Sequence, residues 1–77
     1  MNTIKLNELP KNKQAVVKKV TANSTLGSRL LELGIIPESK IQIVSKMFFG
    51  GSIVVAIRQS MIALRKDDAA HIEVELV

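Results

Sequence analysis

No cysteine occurs in the 77 residues, so disulfides, thiolate metal sites and cysteine nucleophiles are excluded together. A single histidine, His71, stands without a Ser-His-Asp or paired-carboxylate arrangement. Neither nucleophile activation nor acid–base exchange is written in the chain, and a non-enzyme is expected. No glycine-rich phosphate loop followed by Lys-Ser or Lys-Thr is present, which argues against an NTPase. No apolar run approaches the roughly 20 residues that span a bilayer. Met1 to Pro10 lacks the basic start and apolar block of a secretion signal, so the expectation is a soluble cytoplasmic chain without membrane insertion. A chain of 77 residues buries only about 60% of its unfolded surface. A single domain over 1–77 is therefore expected, with no interdomain cleft.

Aromatics are scarce too: Phe48 and Phe49 are the only two, and they are adjacent. Eleven Lys and Arg against seven Asp and Glu give a net charge of +4. The cations Lys11, Lys13, Lys18, Lys19, Lys40, Lys46, Arg58, Arg65 and Lys66 are scattered singly or in pairs. A nucleic-acid surface concentrates charge and adds stacking rings, so nucleic acid is not an expected partner.

What is present is alternation. Ile4, Leu6 and Leu9 read as an edge strand interrupted by Pro10, Ala15 to Val20 as a long strand, and Lys40 to Met47 as a half-buried one. Gly50-Gly51 marks a turn. Ser52 to Arg58 reads as a central strand, Gln59-Ser60 as a tight hairpin and Met61 to Arg65 as a short strand. Lys66 to Ala70 reads as a helical turn, and Ile72, Val74 and Leu76 as the last strand. The period changes in one place. Leu26, Leu30 and Leu33 recur at helical spacing, with Ser28, Arg29 and Glu32 facing water. Ser24 or Thr25 is placed to cap this helix, Gly34 to close it and Pro37 to prevent its restart. The fold class expected is all-β with a short helix near 25–33 and a helical turn near 66–70: a small SH3-like β-barrel of about five strands.

Leu30 to Pro37, Ile41 to Val44, Ile53 to Val55, Ile62 to Lys66 and Ala69 to Val74 together resemble the FeoA family, ferrous iron transport protein A. The resemblance covers almost the whole chain. It implies a small cytosolic SH3-like accessory or regulatory protein that works with FeoB, a membrane transporter of ferrous iron carrying a GTPase domain. It also implies a place at the inner face of the membrane, reached through that partner. The chain departs from the pattern at several turns. The family usually has glycine after the first proline, where Lys11-Asn12 stands here. It usually has Pro-Gly after the helix, where Pro37-Glu38-Ser39 stands, and glycine in the late hairpin, where Gln59-Ser60 stands. Met47-Phe48-Phe49 replaces a loop that commonly contains proline.

The candidate partner-binding residues are Ser28, Arg29, Glu32 and Ile35 on the helix and its following loop, with Met47, Phe48 and Phe49 as an apolar tip. The plainer reading is that the leucines plug the barrel and that Arg29 and Glu32 pair at i, i+3, worth a few tenths of a kcal/mol. No firm metal site is read. His71 with Asp67 or Asp68, near Glu73, offers two or three ligands at best, enough for a weak or adventitious divalent ion. Asp67 serves equally as a cap for Ala69 to His71. No cofactor is expected, and a weak homo-oligomer is compatible with the strand edges. The alternative is a detached metal-sensing module resembling the SH3-like C-terminal domain of metal-dependent repressors, although no DNA-binding helix pair is present.

Overall fold

In the computed structural model, which describes residues 3–21, 23–46 and 51–77, the alternating segments become six strands. They are β1 (Ile4–Lys5), β2 (Gln14–Val20), β3 (Lys40–Lys46), β4 (Ser52–Ile57), β5 (Ser60–Arg65) and β6 (Ile72–Leu76). Helix α1 spans Ser24–Glu32 and α2 spans Lys66–Ala69. All strand pairs are antiparallel, in the spatial order β1-β6-β2-β3-β4-β5. Met47, Phe48 and Phe49 lie outside the described residues.

The register explains the core. Ala15 stands opposite Ile41, Val17 opposite Val74, Ile41 opposite Ile57, Ile43 opposite Val55 and Ile53 opposite Leu64. All of these side chains are buried, and among the described residues no polar or charged residue is buried with them. Aliphatic burial of this kind contributes about 1.5–3 kcal/mol per side chain. Register shifts between Val17 and Lys19 and between Ile43 and Ser45 mark bulges, which sharpen the twist and let six strands curl around one core. The curl stops short of closure. Strands β1 and β5 occupy opposite ends of the order and do not pair, because β1 is only two residues long.

Its brevity corrects the expected edge strand over Ile4, Leu6 and Leu9. A strand would send Leu6 and Leu9 to opposite faces, since three is odd in a period of two. Instead Leu6–Glu8 forms a 3₁₀ turn, in which residues three apart eclipse. Both leucines are then fully buried. The Leu9 N–H donates to Leu6 O at 3.1 Å, and Glu8 Oε1 accepts the Lys5 N–H at 3.2 Å. The late hairpin turns at Arg58–Gln59, one residue earlier than expected, with Ser60 already paired to Ile57.

Among the described residues three other than glycine adopt positive φ: Asn12 (68°), Glu38 (75°) and Arg58 (56°). They fall in the three turns where the resembled family pattern has glycine and this chain does not. Glu38 is held there by its neighbours. Its N–H donates to Val17 O at 2.7 Å and Ser39 O accepts the Val17 N–H at 2.8 Å, so the turn is clipped to β2. The Lys18 ammonium adds an ion pair to the Glu38 carboxylate at 3.2 Å, weakened by exposure.

A left-handed conformation costs a residue with a Cβ roughly 1–2 kcal/mol relative to glycine. Comparing Glu38→Gly with Glu38→Ala, both of which lose the lysine pair, urea denaturation should find the glycine variant the more stable by about 1 kcal/mol. Equal stabilities would refute the idea that strain resides at this turn.

Candidate functional site

Helix α1 is bounded by side-chain and backbone caps. Asn23, in extended conformation, accepts the Leu26 N–H on Oδ1 at 2.8 Å. The cap is therefore Asn23; Ser24 and Thr25 already belong to the helix. At the far end Gly34, with φ 90°, reverses the chain. The Gly34 N–H donates to Leu31 O at 3.0 Å and the Ile35 N–H to Leu30 O at 2.9 Å. This is a Schellman closure, whose usual accompaniment is an apolar contact between the residue after the reversal and one in the last helical turn. Leu30 and Ile35 occupy those positions, and both belong to the buried core.

That closure corrects two expectations. Ile35 is only 2% exposed, so its side chain belongs to the core and is not available to a partner. Leu33, expected inward with Leu26 and Leu30, sits at the C-cap and is 39% exposed. The inward position it would fill in a longer helix is taken by Ile35 after the reversal. Leu26 is half-buried and packs against the core.

The outward side of α1 carries Ser28, Arg29 and Glu32, all exposed as expected. It also carries Leu31, 62% exposed, which the sequence reading missed. Residues three and four apart share a helix face, so Ser28, Leu31 and Glu32 form one surface with Arg29 and Leu33 on its flank. Arg29 does not pair with Glu32. Its Nη2 lies 3.8 Å from Asp68 Oδ2 of α2, a long contact between an exposed arginine and a half-buried aspartate, which contributes little. Arg58 completes the neighbourhood. A Cβ built on Gly34 would lie 3.8 Å from Arg58 Cδ and Nε, so this arginine runs along the end of α1, where carbonyl groups favour a cation.

The weak metal candidates form no three-ligand group among the described residues. His71 Nδ1 stands 2.8 Å from Thr21 O; a carbonyl only accepts, so this nitrogen carries the proton and donates. Thr21 returns two bonds to His71 O, from its N–H at 2.7 Å and its hydroxyl at 3.2 Å. His71 thus fastens the end of β2 to the start of β6 and leaves only Nε2 for a ligand. Asp68 is turned to Arg29, and the cap position of α2 is Arg65, with no side-chain cap bond from Asp67. Among the described residues no three His, Asp or Glu side chains gather as a metal-binding group.

The chain is similar to known proteins over almost its whole length. A family model described as the FeoA domain matches residues 4–76. A Campylobacter jejuni protein provisionally named Fe(2+) transport protein A is 32% identical over 72 residues, 94% of this chain and 97% of that protein. A Porphyromonas gingivalis protein, an Fe(2+) transport protein A/Fe(2+) transporter FeoB fusion, is 32% identical over 74 residues, which are 96% of this chain and 9% of the fusion. Among solved structures, Stenotrophomonas maltophilia FeoA complexed with zinc, described as a prokaryotic SH3 domain protein, is 33% identical with a TM-score of 0.79, covering 97% of this chain and 91% of that one. A manganese-dependent transcriptional repressor shares the fold at a TM-score of 0.91 and 21% identity, over 97% of this chain and 42% of the repressor. No helix among the described residues is long and apolar enough to cross a membrane.

The division of α1 into a buried and an exposed side is testable by truncation. Leu30→Ala should cost about 2–5 kcal/mol in chemical denaturation, whereas Leu31→Ala should stay within about 0.5 kcal/mol of the parent. A large loss at Leu31 would show that its side chain is packed.

Proposed function

The chain belongs to the FeoA domain family, and from that premise we propose that it is a cytoplasmic accessory protein of ferrous iron uptake that docks on an FeoB-type transporter, or its GTPase domain, and modulates transport. The observation that carries this reading is the fused relative, in which a segment similar to this chain is continuous with an Fe(2+) transporter FeoB. Fusion holds two modules at millimolar effective concentration, so it fits a pair that works through modest affinity.

The docking surface in this reading is the outer side of α1. Leu31 and Leu33 supply an exposed apolar centre, while Ser28, Arg29 and Glu32 form its polar rim. Met47, Phe48 and Phe49 remain a second contact proposed on sequence alone. The protein acts as a single domain without catalysis of its own and reaches the inner face of the membrane through its partner. Regulation then follows from affinity. A module that binds one conformational or nucleotide state of the transporter tenfold more tightly than another shifts their balance by about 1.4 kcal/mol. No resident metal and no nucleic acid take part.

The test is a titration of the purified chain against detergent-solubilised FeoB-type transporter, without nucleotide, with GDP and with a GTP analogue, at low and high salt. Binding is expected in at least one state. Leu31→Asp should weaken it by more than about 1 kcal/mol, and apolar docking should persist at high salt. Failure to bind in every nucleotide state would sink the reading. Duplex DNA in a parallel titration should remain unbound; binding that falls steeply with salt would favour the repressor-like module.

A further inference from the structure

The β4–β5 hairpin ends the sheet, with β5 at its margin. The two-residue turn at Arg58–Gln59 makes Ile57 and Ser60 the pair that closes the hairpin. Hydrogen-bonded positions alternate from there, so Ser60, Ile62 and Leu64 direct their backbone groups to β4. The Lys66 N–H continues the series by donating to Gly51 O. Met61 and Ala63 consequently turn both N–H and C=O away from the sheet, and Arg65 its N–H. Among the described residues no strand pairs with this side of β5 and no loop backbone bonds to it.

The side chains of this margin are exposed as well, Met61 at 67%. Across the register Met61 faces Ala56 and Ala63 faces Val54, so an apolar strip borders the open backbone. Its electrostatics have one sign. Between Ser52 and Arg65 the chain carries Arg58 and Arg65 and no carboxylate. An adjoining cleft of about 280 Å³ adds Lys40, with Gln14, Gln42, Ile41 and Ala56 completing its lining beside Arg58. Sheet margins are normally blunted by a bulge, a proline or a charge along the strand. Strand β5 pairs with β4 in continuous register and has none of these between Met61 and Leu64. A second copy is a poor occupant, since a chain of net charge +4 would set its own hairpin arginines against one another.

We propose that the margin of β5 receives an extended acidic segment of a partner protein as an added strand. Main-chain bonds form at Met61 and Ala63, apolar side chains of the segment lie on the Val54, Ala56, Met61 and Ala63 strip, and its carboxylates meet Arg58 and Arg65. Backbone pairing supplies affinity and the alternating side chains supply selectivity. This margin differs from the outer side of α1, although Arg58 also runs along the end of that helix, and the proposal does not depend on docking there.

A strand-length peptide alternating valine and glutamate, with its valine–lysine counterpart, tests it on the intact chain. Fluorescence anisotropy should show the glutamate peptide binding at least about tenfold more tightly. Its amide NMR spectrum should show shifts and slowed hydrogen exchange at Met61, Ala63 and Arg65. Ala63→Pro, which deletes an outward N–H at a margin where proline is tolerated, should weaken binding at least about tenfold. Should that variant lose amide dispersion, the double variant R58E/R65E decides, and it should prefer the lysine peptide. Absence of binding, equal affinity for both peptides, protection confined to other residues, or self-association that protects the same amides without peptide would each overturn the proposal.

Discussion

The backbone bond from the Ile35 N–H to Leu30 O, 2.9 Å long, is the join on which the architecture depends. A curled sheet with an aliphatic interior has open ends that must be stopped. Helix α1 and the loop after it meet that interior through Leu30 and Ile35. Gly34 makes the reversal possible with φ 90°, and the bond sets Leu30 and Ile35 into the same core. Once those two side chains are fixed, the rotation of α1 is fixed. Ser28, Leu31 and Glu32 must then face outward, and a core with no buried polar residue among the described ones leaves recognition to the exterior.

Local rules were legible in the chain and distant ones were not. Alternation located every long strand, and the Leu-Gly sequence at 33–34 marked the reversal, because both depend on near neighbours. The 3₁₀ turn at Leu6–Glu8 escaped because leucines three apart fit an irregular strand as readily as a tight turn; burial of both decides between them. Asn23, Ser24 and Thr25 are equally capable acceptors in sequence, and the cap belongs to whichever precedes the first helical residue. The sequence suggested Arg29 with Glu32 and His71 with an aspartate, all near in the chain. The structure pairs Arg29 with Asp68 and His71 with Thr21, distant residues that only the sheet order brings together.

The departures from the family pattern have a common physical meaning. Asn12, Glu38 and Arg58 adopt the backbone geometry that glycine takes most cheaply, so the turns are retained although their residues differ. What changes is the chemistry displayed there. Glu38 presents a carboxylate to Lys18, and Arg58 lays a cation beside the end of α1. Surface charge can thus be altered at fixed points of the sheet without altering its path.

The position of β6 between β1 and β2 has a consequence for biosynthesis. One side of β2 pairs with β3, but its other side finds Ile72 to Leu76, and Ile4 and Lys5 find their partners at Val74 and Glu73. Pairings of such long sequence separation close last and slow folding. On the ribosome, α1 and the β3–β4–β5 meander can form while synthesis continues, but β1 and β2 cannot be joined until β6 has emerged. Until then β1 lacks its partner and one side of β2 stays open, and the arrival of β6 fills both gaps in one step.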